Sequence, residues 1–419
     1  MFPTSVIRKL AHSEEVFAKN ETFFGLTVHT RGPVDVECMS AAFDTLLEAH
    51  PVLTGHLERD SEGWHHIVAE DLLHPGIWLV SGDSGSPRAA ARMQLDQGVS
   101  LVNLLLRLDK DRAAVTLYVH HSLADGHHVF GLLDELFGWY TELVTVGSVG
   151  PVTPQPAPES LEAVLEQRAI TKQQRSGLER LIRVIFAYEL PPRATAPLSA
   201  DPVSTVMVPV ARRRLTEQQT ADLDAYCRTN GLSLNTVVAA AILLAEWRLR
   251  GTPHIPIPYL YPVDLRHFLT PPVDATACTN PVGVATYLAE IGPATEIADL
   301  ARDITETFRA DLSDGVIQQS TLHFTLQYEG SPPGLPPMVL CTDVGPVPVL
   351  PTPDNLELTD FQSELLCLPR APVDFYGCGT FADRLFIEHH SHAPGREDSL
   401  EEIVSLLCSV PAEDGWDTE

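Results

Sequence analysis

Residues 120–126 read H-H-S-L-A-D-G, within the longer run T-L-Y-V-H-H-S-L-A-D-G-H-H-V-F. Imidazoles and a carboxylate packed this closely can bind a metal, supply a catalytic base, or form a histidine-rich turn with no chemistry. The preceding AAVTLYVHH (113–121) is rich in β-formers, with charge before it and a turn after it, which predicts a strand. Side chains alternate along a strand, so His120 and His121 point to opposite faces. That argues against a metal held by the adjacent pair, since short ligand motifs such as H-E-x-x-H put both histidines on one face. No metal ligands are assigned. His120, His127 and His128 read as core or surface imidazoles. His121 differs because it ends the strand where the chain turns, with Asp125 and Gly126 close behind. Gly126 permits a backbone angle that other residues avoid. Such a turn can hold an imidazole at the mouth of a cavity, its tautomer set by the local backbone. A neutral imidazole with a free lone pair is what a general base requires.

The elements that must position this turn are legible on both sides. After Gly126, HHVFGLLDELFGWYTELV places Val129, Leu132, Leu133, Leu136 and Tyr140 on one helical face. Upstream, DVECMSAAFDTLLEAHPVL has the same spacing at Met39, Ala42, Phe43, Leu46 and Leu47, with Asp35 as cap and Pro51 as stop. Prolines at 151, 154, 156 and 158 mark a connector. Helical patterning then runs from Ser160 to about Tyr188, before a second Pro-rich stretch, PPRATAPLSADP. The second half alternates again. STVMVPVA (204–211) reads as a strand, Thr216 with Gln219 as a capping box, and Ser233 as the cap of LNTVVAAAILLAEWRLR. IPIPYLYPVDLR (255–266) is a strand ending in a charged turn, and 298–312 is an amphipathic helix. PMVLCTDVG and DRLFIEHH are strands, and LEEIVSLLC (400–408) is the closing helix. The pattern predicts an α/β protein with one domain over 1–150, a connector over 151–203 and a second domain over 204–419.

Composition narrows the partners. With 56 acidic and 28 basic residues the net charge is −28, which repels phosphate backbones, so nucleic acid is not expected as a partner. The 7 cysteines are odd in number and form no C-x-x-C pair, which argues against a disulfide framework or zinc ribbon and for a cytoplasmic protein. MFPTSVIRKLAHSEEVF lacks the apolar core of a signal peptide. VVAAAILLA (237–245) is too short to cross a bilayer. A lipid substrate stays open, because a soluble enzyme can take one through peripheral contact with a membrane.

H-H-x-x-x-D-G resembles the signature of the coenzyme-A-dependent acyltransferase superfamily, which includes chloramphenicol acetyltransferase, plant acyltransferases and the condensation domains of nonribosomal peptide synthetases. The likeness spans nearly the whole chain. DVECMSAAFDTLLEAHPVLTGHL resembles the opening helix and strand of condensation domains, LSLNTVVAAAILLA their long helix, and YPVDLR the strand end bearing an arginine. DFYGCGTFADRLFIEHHSH (374–392) stands where plant enzymes carry D-F-G-W-G. The sequence departs from that loop, so no role is carried over to Asp374 or Gly377. MFPTSVIRKL, GVIQQSTLHF and SLLCSVPAEDGW narrow the resemblance to the mycobacterial polyketide-associated acyltransferases, the phthiocerol/phthiodiolone dimycocerosyl transferases.

The resemblance implies two similar chloramphenicol-acetyltransferase-like domains, each a mixed sheet with flanking helices, and an active-site tunnel between them. His121 would be the general base that deprotonates an acceptor alcohol attacking a thioester. Asp125 would turn away from it to pair with Arg266 of YPVDLR, a structural role shared with Gly126. No cofactor or covalent acyl-enzyme is implied. The donor would be a long, multi-methyl-branched acyl thioester of coenzyme A or of the acyl carrier domain of a polyketide- or fatty-acid-type synthase. The acceptor would be a long-chain lipid diol, and the enzyme a monomer. Two alternatives stand beside this reading: amide formation, as in condensation domains, and a non-catalytic module that docks a carrier protein. Carrier domains are usually acidic, so a basic patch is sought on this acidic chain. Arg302 with Arg309 on one helix face is one, with Arg309 the candidate contact. The other is QRAITKQQRSGLERLIR, with Arg168, Lys172, Arg175, Arg180 and Arg183.

Overall fold

The computed structural model describes residues 6–69, 74, 76–81, 95–188, 195, 204–323, 338–370 and 372–413. Apart from position 195, residues 191–202 of the second Pro-rich stretch lie outside them.

Two six-stranded mixed sheets dominate. The first has the order β5 (Ile77–Ser81), β6 (Val102–Asp109), β7 (Arg112–His120), β2 (Phe23–Arg31), β13 (Glu357–Cys367), β8 (Val206–Met207). The second has the order β11 (Val282–Ala289), β10 (Ile257–Asp264), β12 (Val339–Pro346), β14 (Asp374–Phe381), β15 (Arg384–Ser391), β9 (Val210–Arg214). A small sheet pairs β1 (Val6–Lys9) with β4 (His65–Val68) and β4 with β3 (His56–Arg59). Next to β1 in the chain is α1 (His12–Lys19).

The helices follow their caps. In α2 (Val36–Ala49) Asp35 accepts from the Cys38 amide, and Met39, Ala42, Phe43, Leu46 and Leu47 are buried. They pack with Leu132, Leu133 and Leu136 of α3 (Gly126–Val146) over Leu26, Val28, Val115 and Leu117 of the first sheet. Gly147, at φ 86, ends α3 in the left-handed conformation. The capping box of Thr216 and Gln219 starts helix 217–230, and Ser233 caps helix 234–250. Val237–Ala245 of the latter are buried all round, between neighbouring helices and the second sheet. A further helix spans Ile297–Ser313, and the last spans Arg396–Glu413.

Two expectations change. The predicted helix from Ser160 to Tyr188 is two short ones, Leu161–Gln167 and Glu179–Ala187. Between them lies a polar stretch with Ala169 at φ 56 and Gly177 at φ 80, conformations that break a helix. The boundary at 203/204 does not divide the sheets, because β13 leaves the second half and pairs antiparallel with β2 from Glu357↔Arg31 to Leu366↔Phe23. Its register buries Phe361 against Phe130 of α3 and Phe386 of β15, joining the two halves through apolar contact.

Candidate active site

Strand β7 ends in the center of the site. His120, its last residue, is fully buried, edge-on to Phe23 with ring centroids 4.9 Å apart. Its Nδ1 accepts from the Ser122 amide at 3.3 Å, while Nε2 is buried without a partner. Burial, then His121 and His65, push its pKa down to about 3, so the ring is neutral at ordinary pH.

His121 begins the turn and is only partly buried. Its amide donates to the Thr22 carbonyl at 2.8 Å, and its carbonyl accepts from Asn280 Nδ2 at 2.9 Å. The ring lies almost parallel to Phe17, with centroids 4.0 Å apart and planes 10° apart, and is tilted against Phe24 at 5.8 Å. Nδ1 is buried and makes no hydrogen bond, so the accessible edge of the ring carries Nε2. Burial lowers the His121 pKa below its ordinary value, with its own backbone, Asp125 and Asn280 acting in the opposite sense.

Asp125 faces away from that ring. Arg266 donates from both terminal nitrogens, Nη1 to Oδ2 and Nη2 to Oδ1, each at 2.8 Å. Both residues are buried. Asp125 also caps α3 by accepting from the His128 amide at 2.8 Å, and its own amide donates to Thr279 O at 3.0 Å. Burial raises the Asp125 pKa, but the bonds and charge of Arg266 and the His128 amide outweigh it, so the net shift is downward. Arg266 further binds Asp264 Oδ1 at 3.0 Å and the Ala275 carbonyl at 3.1 Å. Desolvation lowers its pKa and its two carboxylate neighbors raise it, to a net rise.

Gly126 departs from expectation. It opens α3 without a positive φ, so the backbone there requires no glycine. A Cβ would stand in ordinary contact, 3.7 Å from Phe24 and 3.9 Å from Val344. The extended N-cap conformation of Asp125 (φ −86, ψ 179) is what aims the carboxylate. His128 is buried with Nδ1 3.2 Å from the Cys278 carbonyl, and its pKa falls to about 4, chiefly through burial. His127 is more exposed and lies 3.8 Å from Asp264.

Several residues that hold this loop carry no local signature. Glu14 is fully buried on α1 and receives both Arg8 terminal nitrogens at 2.7 Å and Thr279 Oγ1 at 2.7 Å. Its carbonyl accepts from Ser122 Oγ at 2.9 Å. Thr279 and Asn280 come from the second half, so both halves grip the turn. The one hint in sequence is the A-H-S-E spacing, in which Glu14 bonds back to the Ala11 amide at 2.8 Å as in a capping box.

The second histidine cluster is structural in its contacts. His389 Nε2 lies 2.9 Å from Asp374, and the ring stacks on Tyr376 with centroids 4.1 Å apart. His390 Nε2 lies 3.1 Å from Ser363 Oγ and 3.2 Å from Glu388, and its ring stacks on Phe375. His392 Nδ1 accepts from the Val373 amide at 2.9 Å. Gly377 sits on β14 opposite Glu388. Among the described residues no three His, Cys, Asp or Glu side chains converge as metal ligands.

Of the two basic patches, the first is largely consumed within the fold. Arg168 binds the Pro271 carbonyl, Arg175 binds Asp311 and Asp314, and Arg180 binds Asp311 and the Thr286 carbonyl. Lys172 is exposed, and the side chain of Arg183 lies outside the described residues. On helix 297–313, Arg302 pairs with Asp299. Arg309 is exposed and has no acidic partner among the described residues.

A family profile described as the phthiocerol/phthiodiolone dimycocerosyl transferase C-terminus matches residues 204–390. A phthiocerol/phthiodiolone dimycocerosyl transferase of Mycobacterium tuberculosis is 55% identical over 419 residues, covering 99% of each chain. The solved structure of polyketide synthase associated protein 5 from Mycobacterium tuberculosis is 54% identical and superposes with a TM-score of 0.90, over 99% of this chain and 100% of that one. The trichothecene 15-O-acetyltransferase of Fusarium sporotrichioides shares the fold at 13% identity, with a TM-score of 0.70 over 96% of this chain and 94% of that one. No single helix among the described residues is long and apolar enough to cross a membrane.

Proposed function

The chain belongs to the phthiocerol/phthiodiolone dimycocerosyl transferase family and is an acyltransferase, and we propose that it esterifies the hydroxyls of a phthiocerol-type long-chain diol with His121 as general base. The donor is a long, multi-methyl-branched acyl group carried as a thioester on coenzyme A or on an acyl carrier domain of a polyketide synthase. The acceptor oxygen attacks the thioester carbonyl while His121 Nε2 takes its proton. The tetrahedral intermediate then collapses, the C–S bond breaks, and the leaving thiolate recovers the proton from the imidazolium. No cofactor enters these steps. Arg266 keeps Asp125 from the imidazole, so the carboxylate holds the turn and α3 in place.

The observation that carries this reading is the state of His121: neutral, half-buried, and with no carboxylate on either ring nitrogen. Such a base can accept a proton without first surrendering a strong hydrogen bond. The test is mass spectrometry of products from purified protein given acyl thioesters with a panel of alcohols and amines. Ester from the long-chain diols is expected, and amide as the main product would replace the reading. Arg309 is the proposed carrier contact. Arg309→Glu should weaken transfer from the carrier-bound donor and spare the same acyl group on coenzyme A. Equal loss with both donors would assign Arg309 to folding or to the substrate path instead.

A further inference from the structure

No carboxylate orients the imidazole of His121, because Asp125 is bound by Arg266. A catalytic histidine is commonly aligned by a hydrogen bond on the nitrogen that does not react. Here Nδ1 is buried with no well-formed hydrogen bond, and the only hydrogen-bonding groups among the described residues near enough to bear on the ring are its own backbone, the Asn280 side chain and the Ala124 backbone. Asn280 and Thr22 also fix the backbone of His121. Packing therefore carries much of the orientation of the ring. The closest packing is the face of Phe17, 4.0 Å away and within 10° of parallel.

Phe17 has few other duties. It is partly exposed and belongs to none of the apolar clusters that form the cores. Its helix, in contrast, is held firmly. Glu14, three residues earlier and on the same face, is bonded to Arg8 and Thr279 and carries the Ser122 hydroxyl on its carbonyl. Glu15 is buried against His65, and Ser13 donates to Glu162 from its amide and its hydroxyl at 2.9 Å. A ring on so well-anchored a support is a fixed plane against which a second ring can be set.

We propose that Phe17 is a positioning residue for acyl transfer, whose ring face sets the plane of the His121 imidazole and covers one side of it, leaving the Nε2 edge for the acceptor hydroxyl. This rests on the reading of His121 as the base. The titratable and charged groups around the ring are already engaged or neutral. Asp125 is bound to Arg266, His120 is neutral, and on α1 Glu14 and Glu15 are bonded to Arg8 and His65. Phe17 also supplies part of the burial that lowers the pKa of His121, so removing its face should move that pKa toward the ordinary value.

The test compares Phe17→Leu, which keeps bulk without an aromatic face, with Phe17→Tyr, which keeps the face. Phe17→Leu should lower kcat by roughly 3–10-fold, the range of an aromatic pair, with KM little changed. Its acid limb should move to higher pH, and Phe17→Tyr should restore both. In substrate-free protein, the ring-current shift of the His121 ring protons should fall sharply in Phe17→Leu, leaving the smaller contribution of Phe24, as seen by NMR. Unchanged ring-proton shifts and an unchanged pH profile in Phe17→Leu would overturn the proposal even where His121→Ala is inactive. A rise in KM at constant kcat would overturn it too, making Phe17 a wall of the substrate path. Full activity in His121→Ala would instead remove the base on which the proposal rests, and the NMR shift would then report packing alone.

Discussion

The tripeptide H-H-S occurs at the end of a strand in both halves, as His120-His121-Ser122 and as His389-His390-Ser391. In the second half both rings are buried, both lie against carboxylates, and both stack on aromatic residues of the neighboring strand. In the first half neither ring touches a carboxylate. The acid that could have reached His121 is bound by an arginine from the other half of the chain. An imidazole tied to a carboxylate at its only bonded nitrogen is a strut of the fold. An imidazole without such a tie, and open on one edge, is available for proton transfer. Residue type and spacing do not separate these cases; the partners do.

Truncating one histidine of each pair tests the contrast most sharply. His121→Ala should lower kcat/KM by ~10²–10⁴-fold and leave the melting temperature unchanged. His389→Ala should keep turnover and lose about 1–3 kcal/mol of stability, because a buried carboxylate loses a partner. Urea titration with parallel rate measurements reads both, and an exchange of the two phenotypes would invert the comparison. Next in size is the tie that withdraws the acid. Arg266→Ala should cost ~3–5 kcal/mol, since it leaves the buried Asp125 carboxylate without its counter-charge. Asp125→Ala should cost less because Arg266 keeps Asp264, and activity should fall with stability in both. Asp125→Asn should be milder, as an amide can still accept from the guanidinium and cap α3. The double alanine variant should lose less than the sum of the two singles. Wild-type melting of Asp125→Ala with no turnover would make the carboxylate a partner of His121 and erase the distinction between the two pairs.

Acidity probes the same contrast with smaller effects. A lowered His121 pKa keeps the base neutral further into acid, so the kcat/KM profile should lose activity only below the ordinary histidine value of about 6.5. His120, with a folded pKa of about 3, acts on stability instead. As pH falls from about 6.5 the unfolded chain takes up this proton first, so stability is lost at up to about 1.4 kcal/mol per pH unit. His120→Gln should therefore lose less stability than wild type between pH 7 and pH 5, measured by urea unfolding. Equal losses would mean that His120 titrates normally. The smallest effect is expected at Asn280, where alanine removes one bond to the His121 carbonyl and should lower kcat ~2–5-fold.

What could be read from the sequence was local. Asp35, Thr216 and Ser233 announce their helices because a cap acts within three residues. The turn at 120–126 stands out because its chemistry is contiguous. The helix expected from Ser160 to about Tyr188 is too long because apolar spacing on either side of the polar stretch hides the break at Ala169 and Gly177, whose angles are left-handed. Phe17, Thr279 and Asn280 meet the site only through folding, and nothing in their immediate neighbors marks them, while Glu14 shows only its A-H-S-E capping spacing. Gly126 misled for the opposite reason: a glycine suggests an unusual angle, whereas this one has an ordinary angle and leaves space beside Phe24.

The strand exchange through β13 has a consequence during synthesis. The first sheet cannot be completed by the residues that form most of it. Until Glu357–Cys367 has emerged from the ribosome, β2 stays an open edge carrying Leu26 and Val28. An apolar edge of that kind invites pairing with another chain. Nascent first halves translated on neighboring ribosomes of one message would be at risk of joining each other, and release from that risk comes only in the last stretch of translation.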